Sequence, residues 1–138
     1  MKGRLALVRT AVVLTLAFAL VTPSVAAAGA RSSIIAGFAA KAGKPLSAAR
    51  GKAFFTGKHT GGKPETPTCL TCHTSNLRGM GKTRAGKAIK PMAVSANPER
   101  FTDPKKVAKW FRRNCKTVLG RECTAQEKGD VLTWLATQ

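Results

Sequence analysis

Cys69-Leu70-Thr71-Cys72-His73 is the stretch from which the 138-residue chain is best read. Two cysteines with two residues between them, followed at once by histidine, form the attachment pattern of c-type haem. The spacing has a chemical reason. Each thiol adds to one haem vinyl group to give a thioether, and one turn of chain brings both sulfurs within reach. The adjacent histidine then lies under the porphyrin centre, where its imidazole can bind iron. A redox Cys-x-x-Cys pair would sit after a strand in a βαβ unit, and no strand-like alternation of useful length is present. A zinc site would need a second ligand pair at matching spacing. Cys115 and Cys123 are eight apart and His59 is isolated, so zinc fits poorly.

Outward from the motif, residues 59–97 read as a long loop. It carries glycines at 61, 62, 79, 81 and 86 and prolines at 64, 67 and 91. So long a loop is expected to wrap something. On either side, helices are predicted. Ser32 or Ser33 can cap a short one through Ile34, Ile35 and Phe38, ending near Gly43. Ser47 can cap a second through Phe54 and Phe55 to Gly57. Asp103 as N-cap, Pro104 at the first helical position and Gly120 as stop delimit a third. Its apolar stripe is Val107, Trp110, Phe111, Val118 and Leu119, interrupted by Asn114. Thr124 and Glu127 form a capping box for a fourth, which buries Val131, Leu132, Trp134 and Leu135. The expected class is all-α: several short helices around one covalent haem, as in class I cytochromes c.

Residues 1–28 read as a secretory signal. Lys2, Arg4 and Arg9 are followed by an apolar run from Ala11 to Val21, the helix breaker Pro23 and the small residues Ser24 to Ala28. Eleven residues are too few to span a bilayer comfortably. Cleavage is expected within Ala26–Ala30, leaving a haem domain at 29–138 in the periplasm. Loss of those three cations takes the charge from +18 to +15.

The sixth iron ligand decides function, because a strong one favours electron transfer and a weak one admits gases. Met80 is only seven residues from His73, a short tether to the opposite haem face. Met92 has the reach and follows Pro91 in an irregular loop. His59 lies in a glycine-rich stretch and is expected to be solvated. Asn114 stands apart, since an amide on an apolar helix face needs a partner. It either caps into a neighbouring loop or faces the iron. Cys115 follows it, and Cys123 can close back onto Cys115.

Arg112-Arg113-Asn114-Cys115 and Val118-Leu119-Gly120-Arg121-Glu122-Cys123-Thr124, with Cys69–His73 and Arg100-Phe101-Thr102-Asp103, resemble the SHP-type cytochromes c. These are small, high-spin, oxygen-binding bacterial monohaem cytochromes. The resemblance runs roughly from Ile34 onward. It implies that Asn114 is the distal ligand of oxidised iron and that Cys115 and Cys123 form a disulfide. It gives Met92 no ligand role. It also implies dihaem cytochrome c or membrane cytochrome b partners. On this reading O2, NO or CO binds after reduction. The alternative is a plain electron carrier with permanent His73/Met92 ligation. No acid–base residue beside Asn114 is evident, so no turnover reaction is assigned.

Lysines 52, 58, 63, 82, 87 and 90 flank the wrapping loop. They suit docking to an acidic redox partner, with electrostatic steering. General solubility accounts for them equally. No aromatic stacking run supports nucleic-acid binding. A monomer is expected.

Overall fold

The structure, a computed structural model, describes residues 23–138. Most of the expected signal segment therefore lies outside the described residues. The element order is α1 (Pro23–Ala39), α2 (Ala48–Thr56), α3 (Leu70–His73), β1 (Gly81–Lys82), β2 (Ala88–Ile89), α4 (Pro104–Leu119) and α5 (Ala125–Leu135). No helix among the described residues is long and apolar enough to cross a membrane.

The caps act as local chemistry dictates. Ser47 accepts from the Arg50 N–H at the start of α2. Asp103 accepts from the Lys106 N–H at α4, and Gly120 closes that helix in the left-handed conformation, at φ 72°. Thr124 and Glu127 complete the reciprocal capping box of α5. The first helix differs from expectation. It begins at Pro23 rather than at Ser32 or Ser33, and it ends at Ala39. Alanines and other helix-tolerant residues carry it from Pro23 onward, so the serines have no terminus to cap. The Ser33 hydroxyl instead donates back to the Gly29 carbonyl.

The core forms where α5 meets α2 and α1. Val131, Leu132, Trp134 and Leu135 are all buried. Helix α2 crosses α5 at Gly51, where a Cβ would collide with the Asp130 carbonyl, so only glycine allows the approach. The buried Asp130 carboxylate ties the crossing together. It accepts from the Ser47 N–H at 2.6 Å, from Arg50 Nε at 2.8 Å and from Gln126 at 3.1 Å. Burial alone would push this carboxyl up. The hydrogen bonds from Arg50, Ser47 and Gln126 outweigh it and hold the group below its ordinary range.

Residues 59–97 are mostly turns. β1 and β2 pair antiparallel, with Gly81 opposite Ile89. Two expectations fail here and on α4. His59 is half-buried rather than solvated: its ring lies on Phe54, and Nε2 is 2.7 Å from the Phe54 carbonyl. Trp110 is 50% exposed instead of core. Val107 and Val118 hold the centre of the inward face, while Trp110 lies at its edge. The cationic ends of Lys109 and Arg113 each sit 5.6 Å from its ring centroid.

Candidate haem site

Helix α3 is a single turn that presents the whole motif. Cys69 already has helical dihedrals. Its carbonyl accepts from the Cys72 N–H at 3.4 Å and from the His73 N–H at 3.1 Å. Thr74 ends the turn with φ 61°, a sparsely populated region for a β-branched residue. The turn is braced from behind by Gly81 of β1, where a Cβ would strike the Cys72 carbonyl. The hairpin thus packs directly on the motif's backbone.

Both thiols are free and half-buried. Burial pushes the Cys69 thiol up to about 11, which is opposite to what an attacking redox thiol needs. His73 Nδ1 is buried with no partner among the described residues. Burial, and secondarily the Arg100 guanidinium, push its imidazole down to about 4. A neutral imidazole keeps a lone pair for a metal at physiological pH.

Around the motif lie buried Phe55, Leu77, Met92, Ala93 and Trp134, with half-buried Leu70, Phe101 and Phe111 against them. The Phe55 ring is 5.8 Å from that of His73 and 5.4 Å from that of Trp134. Free thiols, a neutral imidazole with an orphaned nitrogen and apolar walls fit a covalent haem. Cys69 and Cys72 could take its thioether bonds, and His73 could bind its iron.

The distal candidates separate. Met80 is 56% exposed. Met92 is buried, but its Sδ accepts a hydrogen bond from Arg100 Nη2 at 2.8 Å, and its backbone N–H donates to the Leu77 carbonyl. Asn114 is half-buried on the α4 face that carries Phe111 and Val118 and makes no side-chain hydrogen bond among the described residues, while the buried polar atoms left without a partner are His73 Nδ1 and Arg100 Nε. The helix that carries it is fastened just beyond. Cys115 and Cys123 are joined, with Cα atoms 5.7 Å apart. The Thr117 carbonyl accepts from the Lys63 N–H at 2.8 Å and from the buried Thr66 hydroxyl at 3.3 Å.

Two residues of the site carry no role in the sequence reading. Arg100, quoted there only as part of the family resemblance, enters through its contacts with Met92 and Phe101, and Arg31 of α1 through its hold on the loop before α4. For Arg31 the available signal was an isolated arginine in an otherwise uncharged helical stretch.

This fold and site define a c-type cytochrome with a single haem. The profile of a domain of unknown function, DUF1924, matches residues 41–135. Cytochrome c-type protein SHP of Cereibacter sphaeroides is 50% identical over 125 residues, which cover 91% of this chain and 97% of that protein. The structure of oxidised SHP, an oxygen-binding cytochrome c, superposes with TM-score 0.76 at 53% identity, covering 78% of this chain and 96% of that one. Oxidised cytochrome c'' from Methylophilus methylotrophus follows at TM-score 0.64 and 30% identity, covering 83% and 96%. The chain belongs to the SHP family of c-type cytochromes, with their all-α cytochrome fold and covalently bound haem c.

Proposed function

We propose that this cytochrome binds a diatomic gas after reduction, because Asn114 ligates ferric iron and lets go of ferrous iron. The haem supplies a one-electron couple and an axial coordination position. Asn114 supplies the switch. Its amide oxygen is a hard, neutral, weak donor, better suited to ferric than to softer ferrous iron. Once released, the carboxamide can donate a hydrogen bond to an incoming O2, NO or CO. His73 keeps the opposite face in both oxidation states.

One observation carries the choice. The Asn114 amide is on the inner face of a fastened helix with no partner among the described residues, whereas the Met92 thioether already accepts from Arg100. The oxygen binding stated for the oxidised SHP structure supports the reading. Permanent His73/Met92 ligation draws on the burial of Met92 in the apolar wall. Optical spectra separate the two. The proposal expects high-spin ferrous protein that binds carbon monoxide quickly. Low-spin ferrous protein that binds it slowly would establish Met92.

The same reading covers export and partners. Residues 1–28 act as the periplasmic address, and cleavage within Ala26–Ala30 shortens α1 by its first turns. Lysines 52, 58, 63, 82, 87 and 90 are all exposed and suit an acidic redox partner. Helix α4 adds exposed Lys105, Lys109, Arg112, Arg113 and Lys116. Salt dependence of the electron-transfer rate with such a partner tests this: an acidic partner predicts a rate that falls steeply as salt rises.

A further inference from the structure

Arg100 brings a half-buried guanidinium beside His73, with no carboxylate among the described residues paired to it. Its Nε is buried and unpartnered. Its Nη2 donates to Met92 Sδ, a weak, neutral acceptor, and its Cζ stands 5.6 Å from the Phe101 ring centroid. No carboxylate among the described residues forms an ion pair with it. A charge taken out of water is costly unless it is paired and hydrogen-bonded.

The backbone shows that this placement is enforced. Phe101, the next residue, has φ 65°, in the left-handed region that non-glycine residues seldom occupy. The segment is held from outside by Arg31 of α1, itself buried. Arg31 Nε donates to the Arg100 carbonyl at 3.0 Å, and Arg31 Nη2 donates to the Pro98 carbonyl. Asn97 holds the near side, its carbonyl accepting from the Arg100 N–H at 2.9 Å. One helix, a loop and a strained turn thus converge on one orientation of one arginine.

We propose that Arg100 is the counter-ion of a haem propionate and that Arg31 is the positioning residue that holds it there. The chemistry fits the partner. Haem c carries carboxylates at one edge, and the planar guanidinium fork pairs a carboxylate through two parallel N–H bonds. Such a pair leaves Nε satisfied. The arginine keeps its charge in both oxidation states. When one electron passes from the titrant to ferric iron, the fixed positive charge nearby favours the reduced form. Removing that charge therefore lowers the midpoint potential.

The test uses the intact holoprotein with Arg100→Leu, Arg100→Lys, Arg31→Met and the Arg31→Met/Arg100→Leu double variant. Two quantities are read: the midpoint potential by spectroelectrochemistry and the haem propionate bending band by resonance Raman. Arg100→Leu should lower the potential and shift the band. Arg100→Lys should keep most of the potential, because charge is retained, yet shift the band, because the fork is lost. Arg31→Met should move both readouts in the same direction as Arg100→Leu but less. The double variant should match Arg100→Leu alone, since both changes act through one contact. Unchanged band and potential in Arg100→Leu would overturn the pairing. A double variant showing the sum of the single shifts would overturn the positioning role of Arg31. If Arg100→Leu yields no holoprotein, an unmoved band in both Arg100→Lys and Arg31→Met refutes the proposal.

Discussion

Arg100 Nη2 lies 2.8 Å from Met92 Sδ, so the one buried thioether in the haem site already serves as a hydrogen-bond acceptor. That contact sets the expected outcome of two substitutions. Met92→Leu keeps side-chain volume and should leave the ferric spectrum nearly unchanged, at a stability cost below about 1.5 kcal/mol. Asn114→Ala should leave ferric iron bound by water or five-coordinate. Should Met92→Leu alone convert the protein to high spin while Asn114→Ala leaves the iron unaltered, the switchable amide is refuted.

The Cys115–Cys123 link begins one residue beyond Asn114. Closing so short a loop is worth about 2–3 kcal/mol in the chain-entropy account. Cys123→Ala should lower stability by that order and also alter the ferric spectrum, because the distal end of α4 is loosened. Mass spectrometry under non-reducing conditions should find no free thiol at either position. Two free thiols there would remove the basis of this prediction.

Covalent attachment is expected to depend on both thiols of the motif. In a Cys69→Ala/Cys72→Ala chain, any haem present should be removed by acidified organic solvent. Haem that resists extraction from this double variant would contradict the assignment. The haem-free chain should also lose most of its helical signal, because Leu70, Phe101 and Phe111 are only half-covered by protein atoms.

Asp130 predicts an acid limit to stability. Its folded pKa lies below the ordinary aspartate value of 3.8. The stabilisation is therefore fully present above that value and is lost as pH falls through the depressed folded value. Urea midpoints should hold from pH 7 to about pH 4 and then drop. Asp130→Ala should cost about 2–3 kcal/mol at neutral pH, since it leaves the Ser47 N–H and Arg50 without their acceptor. It should also flatten the acid drop. An unchanged drop in that variant would assign the effect to other carboxylates, with Glu127, lowered chiefly by its hydrogen bond from Arg121, as the next to test.

Export predicts a mature N-terminus. Sequencing of periplasmic protein should start within Ala26–Ala30, and Arg31 should always be retained, because it holds the Pro98 and Arg100 carbonyls. A chain beginning after Arg31 with unchanged stability would show that this hold is dispensable.

Signals that act within one turn of chain are legible in the sequence itself. Ser47, the Asp103-Pro104 pair, Gly120 and the Thr124/Glu127 box each satisfy backbone groups two to four residues away, so the local sequence alone determines them. The same holds for Cys69, Cys72 and His73, whose spacing places them on a single turn. Asn114 was visible as a polar break in an apolar stripe. Whether it has a partner is a question of tertiary contacts, since any partner would come from distant segments. Trp110 shows the other side of this limit. Its spacing allowed a core position, and only the packing of α4 placed it at the edge of the buried face. Arg31 and Arg100 are 69 residues apart. Their meeting, the strained turn at Phe101 and the capture of Met92 Sδ depend on how α1 and the loop before α4 converge. Helical period and capping chemistry report on neighbours along the chain. Burial of a charge and the choice of its counter-ion depend on neighbours across it, and only the tertiary structure decided those.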